Sequence, residues 1–323
     1  MSSVVRLIAR RIMLAIPLIF VVITINFIIV HTAPGDPTYI LLGETATKEF
    51  VDAMRAKFGL DKPLYMQYII YLSHVIQGDL GYSLLKSESV GALIMERLPA
   101  TLLLIFSAMC ISVLVGVFLG VTASKKPYSL RDNLATGVAL FGVSTPTFWL
   151  GQMLLIAFAI YLGLFPVSGM KTIRIELRGL ENVFDIVQHL VLPAVTLAAF
   201  HLAFIARLTR ASMLEVLGQD FIITARSKGL DDRAVTYRHG LRNALLPVTT
   251  YVGLSIGILF AGAILTETVF GWPGMGSLLY DSLRSRDYPV LMGVFIFVSV
   301  MVIVSNLVVD ILYGFLDPRI RSR

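Results

Sequence analysis

Apolar residues collect into six long runs, roughly 12–31, 99–123, 134–163, 190–210, 247–268 and 289–313, separated by charged and turn-forming clusters. A run of about 18 or more apolar residues is long enough to cross a bilayer as a helix, whereas core helices of soluble proteins are shorter. Backbone in lipid must satisfy its own hydrogen bonds, and the alternating pattern of barrel strands is missing from these runs. The pattern therefore predicts an all-α integral membrane protein with six transmembrane helices.

Between the first two runs lies the longest polar stretch, 32–98. It predicts a short helix over Thr47–Lys57, with Glu49 and Asp52 early, Arg55 and Lys57 late, and Gly59 as its stop. A second helix is expected from Pro63, with Tyr65, Tyr68, Ile69, Leu72 and Ile76 at helical spacing before Gly78. Such amphipathic pieces lie on a membrane surface or cap a bundle. The chain then divides into a tail and first span (1–31), this external segment (32–98), a five-helix core (99–313) with a long polar loop at 211–246, and a tail (314–323). No internal repeat or low-complexity region interrupts it.

Composition agrees with the pattern: 56% of residues are hydrophobic and 15% charged, against about a quarter charged in soluble domains. The net charge of +6 is spread between the apolar runs, which argues for topology rather than nucleic-acid binding. Sixteen of the 27 Lys and Arg fall on one side if the N-terminus is inside: Arg6, Arg10 and Arg11, then Lys125, Lys126 and Arg131, seven from Arg207 to Arg242, and Arg319, Arg321 and Arg323. Both termini are therefore expected in the cytoplasm. The basic start resembles a signal peptide, but Ile12–Val30 exceeds a usual signal core and no small-x-small site follows, so a retained span is expected. The single cysteine, Cys110, lies in an apolar run and permits no intramolecular disulfide.

Several chemistries fail at the level of motif. No Gly-Lys-Ser/Thr phosphate loop occurs, so no nucleotide site is expected in this chain. The spans lack the chain of carboxylates or histidines of a proton relay; Asp310 and Glu267, near opposite ends of their spans, are expected to be interfacial. The five histidines (His31, His74, His189, His201, His239) share no metal-ligand spacing with one another or with Cys110. Gly253–Gly257 reads "GLSIG", a nucleophile-elbow pattern around Ser255, with His201 on another span. It falls in mid-helix, and glycines four apart allow close helix packing, a spacing repeated at Gly116 and Gly120. Packing is the better reading, with an intramembrane serine protease as the distant alternative.

Two features remain. In "STPTFW" (Ser144–Trp149), Pro146 interrupts the third span while Ser144, Thr145 and Thr147 can satisfy freed carbonyls. Ser144, Thr145 and Pro146, with Ser255, are candidates for lining a pathway; a static kink explains the proline equally well. The second is "TARSKGLDDRAVTYRHGLRNALLP" (Thr224–Pro247), a basic stretch between apolar runs. Asp220 can cap a short helix ending at Gly229, Asp231 can cap a second running toward Asn243, and Pro247 suits the first turn of the fifth span. A loop that only sets topology needs no such helix–Gly–Asp–helix–Pro order.

This stretch resembles the cytoplasmic loop of ABC importer permeases, and more narrowly that of the dipeptide/oligopeptide/nickel subfamily. "APGDP" (Ala33–Pro37), "FGLDKPLYMQY" (Phe58–Tyr68), "GDLGYS" (Gly78–Ser83), "ETVFGWPGMG" (Glu267–Gly276), "RDYP" (Arg286–Pro289) and "DPRIR" (Asp317–Arg321) extend the likeness over nearly the whole chain. The resemblance implies a type I ABC importer permease fold in a prokaryotic inner membrane. It also implies partners: a second, homologous permease subunit, one or two cytoplasmic ATPase subunits and an extracytoplasmic solute-binding protein. ATP and Mg would sit on the ATPases and no cofactor on this chain, which would then be no enzyme. By the same resemblance, Thr224, Ala225, Arg226, Lys228, Gly229, Asp231, Asp232, Arg238 and Pro247 would couple to the ATPase. Ile223 stands where the general signature has a glutamate, leaving Asp231 or Asp232 to replace its contact. The implied cargo is di- or oligopeptide, with nickel, opine, glutathione or oligosaccharide as alternatives. From other classes, a channel or a secondary carrier stays open.

Overall fold

The computed structural model describes residues 3–32, 49, 61–173 and 177–316, with the side chains of 3–10, 12 and 309–316 outside that description. The expected helix at Thr47–Lys57, the Ala33–Pro37 segment, the side chain of Asp310 and the Asp317–Arg321 tail thus lie outside the described residues.

Helix α1 spans Ser3–Thr32, and α2 spans Leu64–Ile76. A two-residue hairpin follows, β1 (Tyr82–Ser83) pairing antiparallel with β2 (Glu88–Ser89). Next come α3 (Val90–Lys125), α4 (Leu130–Ser144), α5 (Thr147–Leu154, continued by a π-helical segment Leu155–Tyr161) and α6 (Leu180–Leu217). The chain ends with α7 (Asp220–Ser227), a π-helical segment Ala234–Leu241, α8 (Arg242–Phe270), α9 (Met275–Ser285) and α10 (Tyr288–Leu316). Among the described residues five helices are long and apolar enough to cross a membrane, and six spans result if the bent pair α4–α5 counts as one.

Local signals explain the boundaries. Ser89 accepts from the Ala92 N–H and Ser129 from the Asp132 N–H, capping α3 and α4. Gly271, at φ +58°, closes α8 in the left-handed conformation that glycine adopts without strain. Helix α2 begins after Pro63 as expected and leans on α1: the Thr24 and Tyr68 hydroxyls lie 2.7 Å apart, and Phe27 contacts the rings of Tyr68 and Tyr71. Just after it, the Gly81 N–H, and then His74, hold the Asp79 carboxyl below the usual carboxylate range.

Helix α6 is the axis of the bundle. Two thirds (67%) of its apolar window is buried, against 11% for α1. Its broadest partner is α3, and the two meet through small residues. A methyl group on Gly116 would lie 2.9 Å from the Leu202 carbonyl, and one on Gly120 2.6 Å from that of Ala206. Ser112 donates across the seam to the Ala198 carbonyl at 3.0 Å. Lipid drives no hydrophobic collapse between helices, so close backbone approach and such crossing bonds hold them together. Around this seam Ala100, Leu104, Ala108, Leu197, Ala198, Leu259 and Ala263 form the main core.

The third run carries a sharp bend: α4 and α5 meet at 108°, because Thr145 is extended before Pro146, which starts the next helix. One expectation is corrected: Pro247 is not in a first turn. The π-helical segment runs directly into α8, so a continuous helix covers Ala234–Phe270 and Pro247 lies inside it.

Candidate functional site: a helical hairpin and its anchors

Beyond Leu217 the chain breaks at Gly218 and re-enters helix at α7. Asp220 does not cap this helix; Gln219 holds the cap position without a side-chain bond, and Asp220 lies in the first turn. There its charge still suits the helix N-terminus. The other end follows the expected plan. The Gly229 N–H donates to the Arg226 carbonyl (2.9 Å) and the Leu230 N–H to the Ala225 carbonyl (3.4 Å), with Gly229 at φ +77°. That is a Schellman closure, which requires a residue at ease in the left-handed region. Asp231 then accepts from the Arg233 N–H at 3.2 Å and opens the return helix.

The hairpin has its own core: Ile222, Ala225 and Val235 are buried against Leu217. Ala225 therefore packs inside the hairpin and offers no side chain to a partner. Thr224, Arg226, Lys228, Gly229, Asp231, Asp232 and Arg238 are all exposed, as is Pro247 on α8. Among them stand three apolar residues: Phe221 is 41%, Ile223 56% and Leu230 43% exposed. Of the two aspartates that could stand in for the glutamate, Asp231 serves its own helix cap. Asp232 makes an exposed ion pair with Arg226 at 4.0 Å, its side chain 91% exposed.

The hairpin and its continuation into α8 are anchored to the bundle at two places. Val121, Met213, Val216 and Ala244 bury together where α3, α6 and α8 meet. Lys125 at the end of α3 donates to the Tyr237 hydroxyl (3.2 Å) and lies over its ring. Farther along α6, Arg210 donates through Nε and Nη2 to the two oxygens of Asp132 on α4, at 2.6 and 2.7 Å. Asp132 is only 3% exposed and also accepts from the Tyr128 N–H at 2.8 Å. Sequence reasoning counted Arg210 only as a topological charge and gave Asp132 no role. The available signal was a lone carboxylate opening an apolar run, which needs a partner once buried.

The pathway candidates are not brought together by bonding. Thr145 donates to the Phe141 carbonyl at 2.7 Å, closing α4, while Ser144 and Pro146 are exposed at the break. Ser255 is fully buried and donates to the Tyr251 carbonyl at 2.8 Å. His201 meets the Tyr251 hydroxyl (2.9 Å), so no nucleophile–base pair forms at "GLSIG".

At the opposite end of the bundle, Glu267 stands near the end of α8 and is completely buried within the protein. Its Oε1 accepts from Thr101 at 2.6 Å and its Oε2 from the N–H groups of Gly276 and Ser277 at 2.6 and 3.1 Å. Glu267 thus supplies the cap that α9 lacks locally, and side chains on Gly274 or Gly276 would strike its carboxylate. The spacing of "ETVFGWPGMG" is the sequence record of this turn. Nearby, Ser83 donates to the buried Asp287 carboxylate across 204 positions, joining "GDLGYS" to "RDYP".

Comparison with known proteins accords with this architecture. Residues 112–322 match the family described as binding-protein-dependent transport system inner membrane component, and residues 4–105 match its N-terminal counterpart. The chain is 41% identical over 314 residues to the oligopeptide transport system permease protein AppB of Bacillus subtilis (strain 168), covering 97% of this chain and 98% of that one. It is 43% identical to the dipeptide transport system permease protein DppB of Escherichia coli (strain K12), covering 98% of each. The glutathione transport system permease protein GsiC of Escherichia coli O6:H1 is 39% identical, covering 97% of this chain and 98% of that one. In fold, the chain is similar to a crystal structure of an amino acid ABC transporter with histidines, with a TM-score of 0.50 and 16% identity over 70% of this chain and 95% of that one. The chain belongs to the inner membrane permease components of binding-protein-dependent ABC transport systems.

Proposed function

We propose that this permease forms half of the path by which di- or oligopeptides enter the cell, and that its hairpin receives the motion of a separate ATPase. The observation that carries the coupling is the hairpin itself: a self-packed, Gly229-closed projection exposing Phe221, Ile223 and Leu230 among basic residues. Exposed apolar anchors rimmed by charge suit docking into a groove on another protein. The peptide cargo is supported by the full-length likeness to the dipeptide and oligopeptide permeases. In this reading both termini and the hairpin face the cytoplasm, and Glu267 and α9 lie on the outer side. A homologous permease completes the pore. An external binding protein delivers solute, one or two ATPase subunits hold ATP and Mg, and this chain binds no cofactor.

The test is reconstitution in proteoliposomes. The complete transporter should take up radiolabelled dipeptide only with ATP and binding protein, and this chain alone should hydrolyse no ATP. Uptake driven by an ion gradient without ATPase would contradict the proposal. The likeness to the glutathione permease supports one further cargo, a peptide with a side-chain amide link. Binding measurements on the partner binding protein separate the two cargoes.

A further inference from the structure

We propose that the Arg210–Asp132 pair is the strut that carries movement of the hairpin to the broken helix α4–α5, which makes both side chains positioning residues for transport. This rests on the ATP-driven reading above.

Leu217 ends α6 and also belongs to the core of the hairpin, so displacement of the hairpin moves the end of α6 with it. Arg210 lies two turns earlier on the same helix. Its two parallel bonds to Asp132 fix angle as well as distance, as a single contact would not. On the other side, the Tyr128 N–H and the Ser129 cap tie Asp132 to the first turn of α4. The crevice beside the pair is lined by Leu119, Ala135, Thr136, Ala139, Ala206 and Arg207. Close packing of α4 on α6 comes farther along, where a methyl group on Gly142 would lie 2.8 Å from the Ala199 carbonyl. At the first turn of α4 the ion pair therefore supplies the directional link between the two helices. The opposite face of α4 is open, with Leu134, Val138 and Phe141 more than half exposed. A push at Asp132 is therefore taken up at the other end of α4, where the 108° break at Thr145–Pro146 stands.

The test uses the assembled transporter in proteoliposomes, reading uptake of radiolabelled Ala-Ala per ATP hydrolysed. Distances between nitroxides on Leu134→Cys and Glu215→Cys, in a Cys110→Ala background, are measured with and without ATP. Arg210→Gln and Asp132→Asn should assemble and hydrolyse ATP, yet lose at least about fivefold in uptake per ATP. The exchange Asp132→Arg with Arg210→Asp should recover at least half of it. The nitroxide distance should stay constant on ATP addition in the wild type and shift in the single variants. Unchanged uptake per ATP, or a constant distance in the single variants, overturns the strut. If those variants fail to assemble, Arg210→Lys is compared instead, because it keeps the charge and loses the paired bonds; wild-type coupling in it also overturns the strut. A wild-type complex that moves no peptide while its distances behave as expected contradicts the cargo and leaves the strut standing.

Discussion

Glu267 holds three donors from two directions, one from α3 and two from the start of α9. Replacing it with alanine strands the Gly276 and Ser277 N–H groups inside the protein, at about 1–3 kcal/mol for each unsatisfied group. Glu267→Ala should therefore lower the melting temperature of the detergent-solubilised protein sharply, whereas Glu267→Gln, which keeps one acceptor oxygen, should lower it less. Equal loss in both would mean that the carboxylate does not cap α9. Gly120 makes a second case, since even a methyl group there would press within 2.6 Å of the Ala206 carbonyl. Gly120→Leu should prevent α3 from seating on α6, read as lost assembly in pull-down of the partner subunits. Gly120→Ala should be the milder variant.

At the scale of elements, the break between α4 and α5 and the buried position of Ser255 make opposite predictions for neighbouring candidates. In a Cys110→Ala background, Ser144→Cys should react with a water-soluble methanethiosulfonate reagent, and Ser255→Cys should not, because its position is sealed. Labelling of both at equal rate would place Ser255 on an aqueous path. The same elements show what was legible beforehand. Long apolar runs gave the spans, and Gly229 with Asp231 gave the hairpin, because left-handed glycine and a capping aspartate leave marks within a few residues. The 108° angle after Pro146 left only a proline, which a static kink explains as readily. The buried roles of Glu267, Asp132 and Asp287 depend on partners 166, 78 and 204 positions away. A carboxylate at the edge of an apolar run, or before a glycine-rich turn as at Glu267, marks that a partner is needed, but no local pattern names the distant one. The π-helical run that joins the hairpin to α8 was hidden for a related reason: Pro247 has the local appearance of a helix start, while tertiary packing at Ala244 carries the helix through it.

For the whole molecule, one side of the membrane receives the hairpin, the ends of α3 and α6, and the basic residues around them. Alkaline phosphatase fused after Leu217 should stay inactive in a bacterial host, and the same enzyme fused after Ser285 should be active. The reverse pattern would invert the proposed orientation. The division of labour is equally concrete: a bundle knit by small residues and buried polar links, an end opposite the hairpin locked by Glu267, and a hairpin that is compact in itself and exposes Phe221, Ile223 and Leu230 among charged residues. The account stands or falls on whether that hairpin transmits ATP-driven movement. Gly229 is the residue to change, because a Cβ there meets no neighbouring atom within 4 Å, so an effect reports the turn and its docking rather than crowding. An L-residue held in the left-handed region costs only about 1–2 kcal/mol, small beside the packing of the bundle. The decisive measurement is dipeptide uptake per ATP hydrolysed by the reconstituted transporter, wild type against Gly229→Asp. The account predicts normal membrane insertion with uptake per ATP, or ATPase attachment, largely lost in the variant. Wild-type uptake per ATP in Gly229→Asp would contradict it.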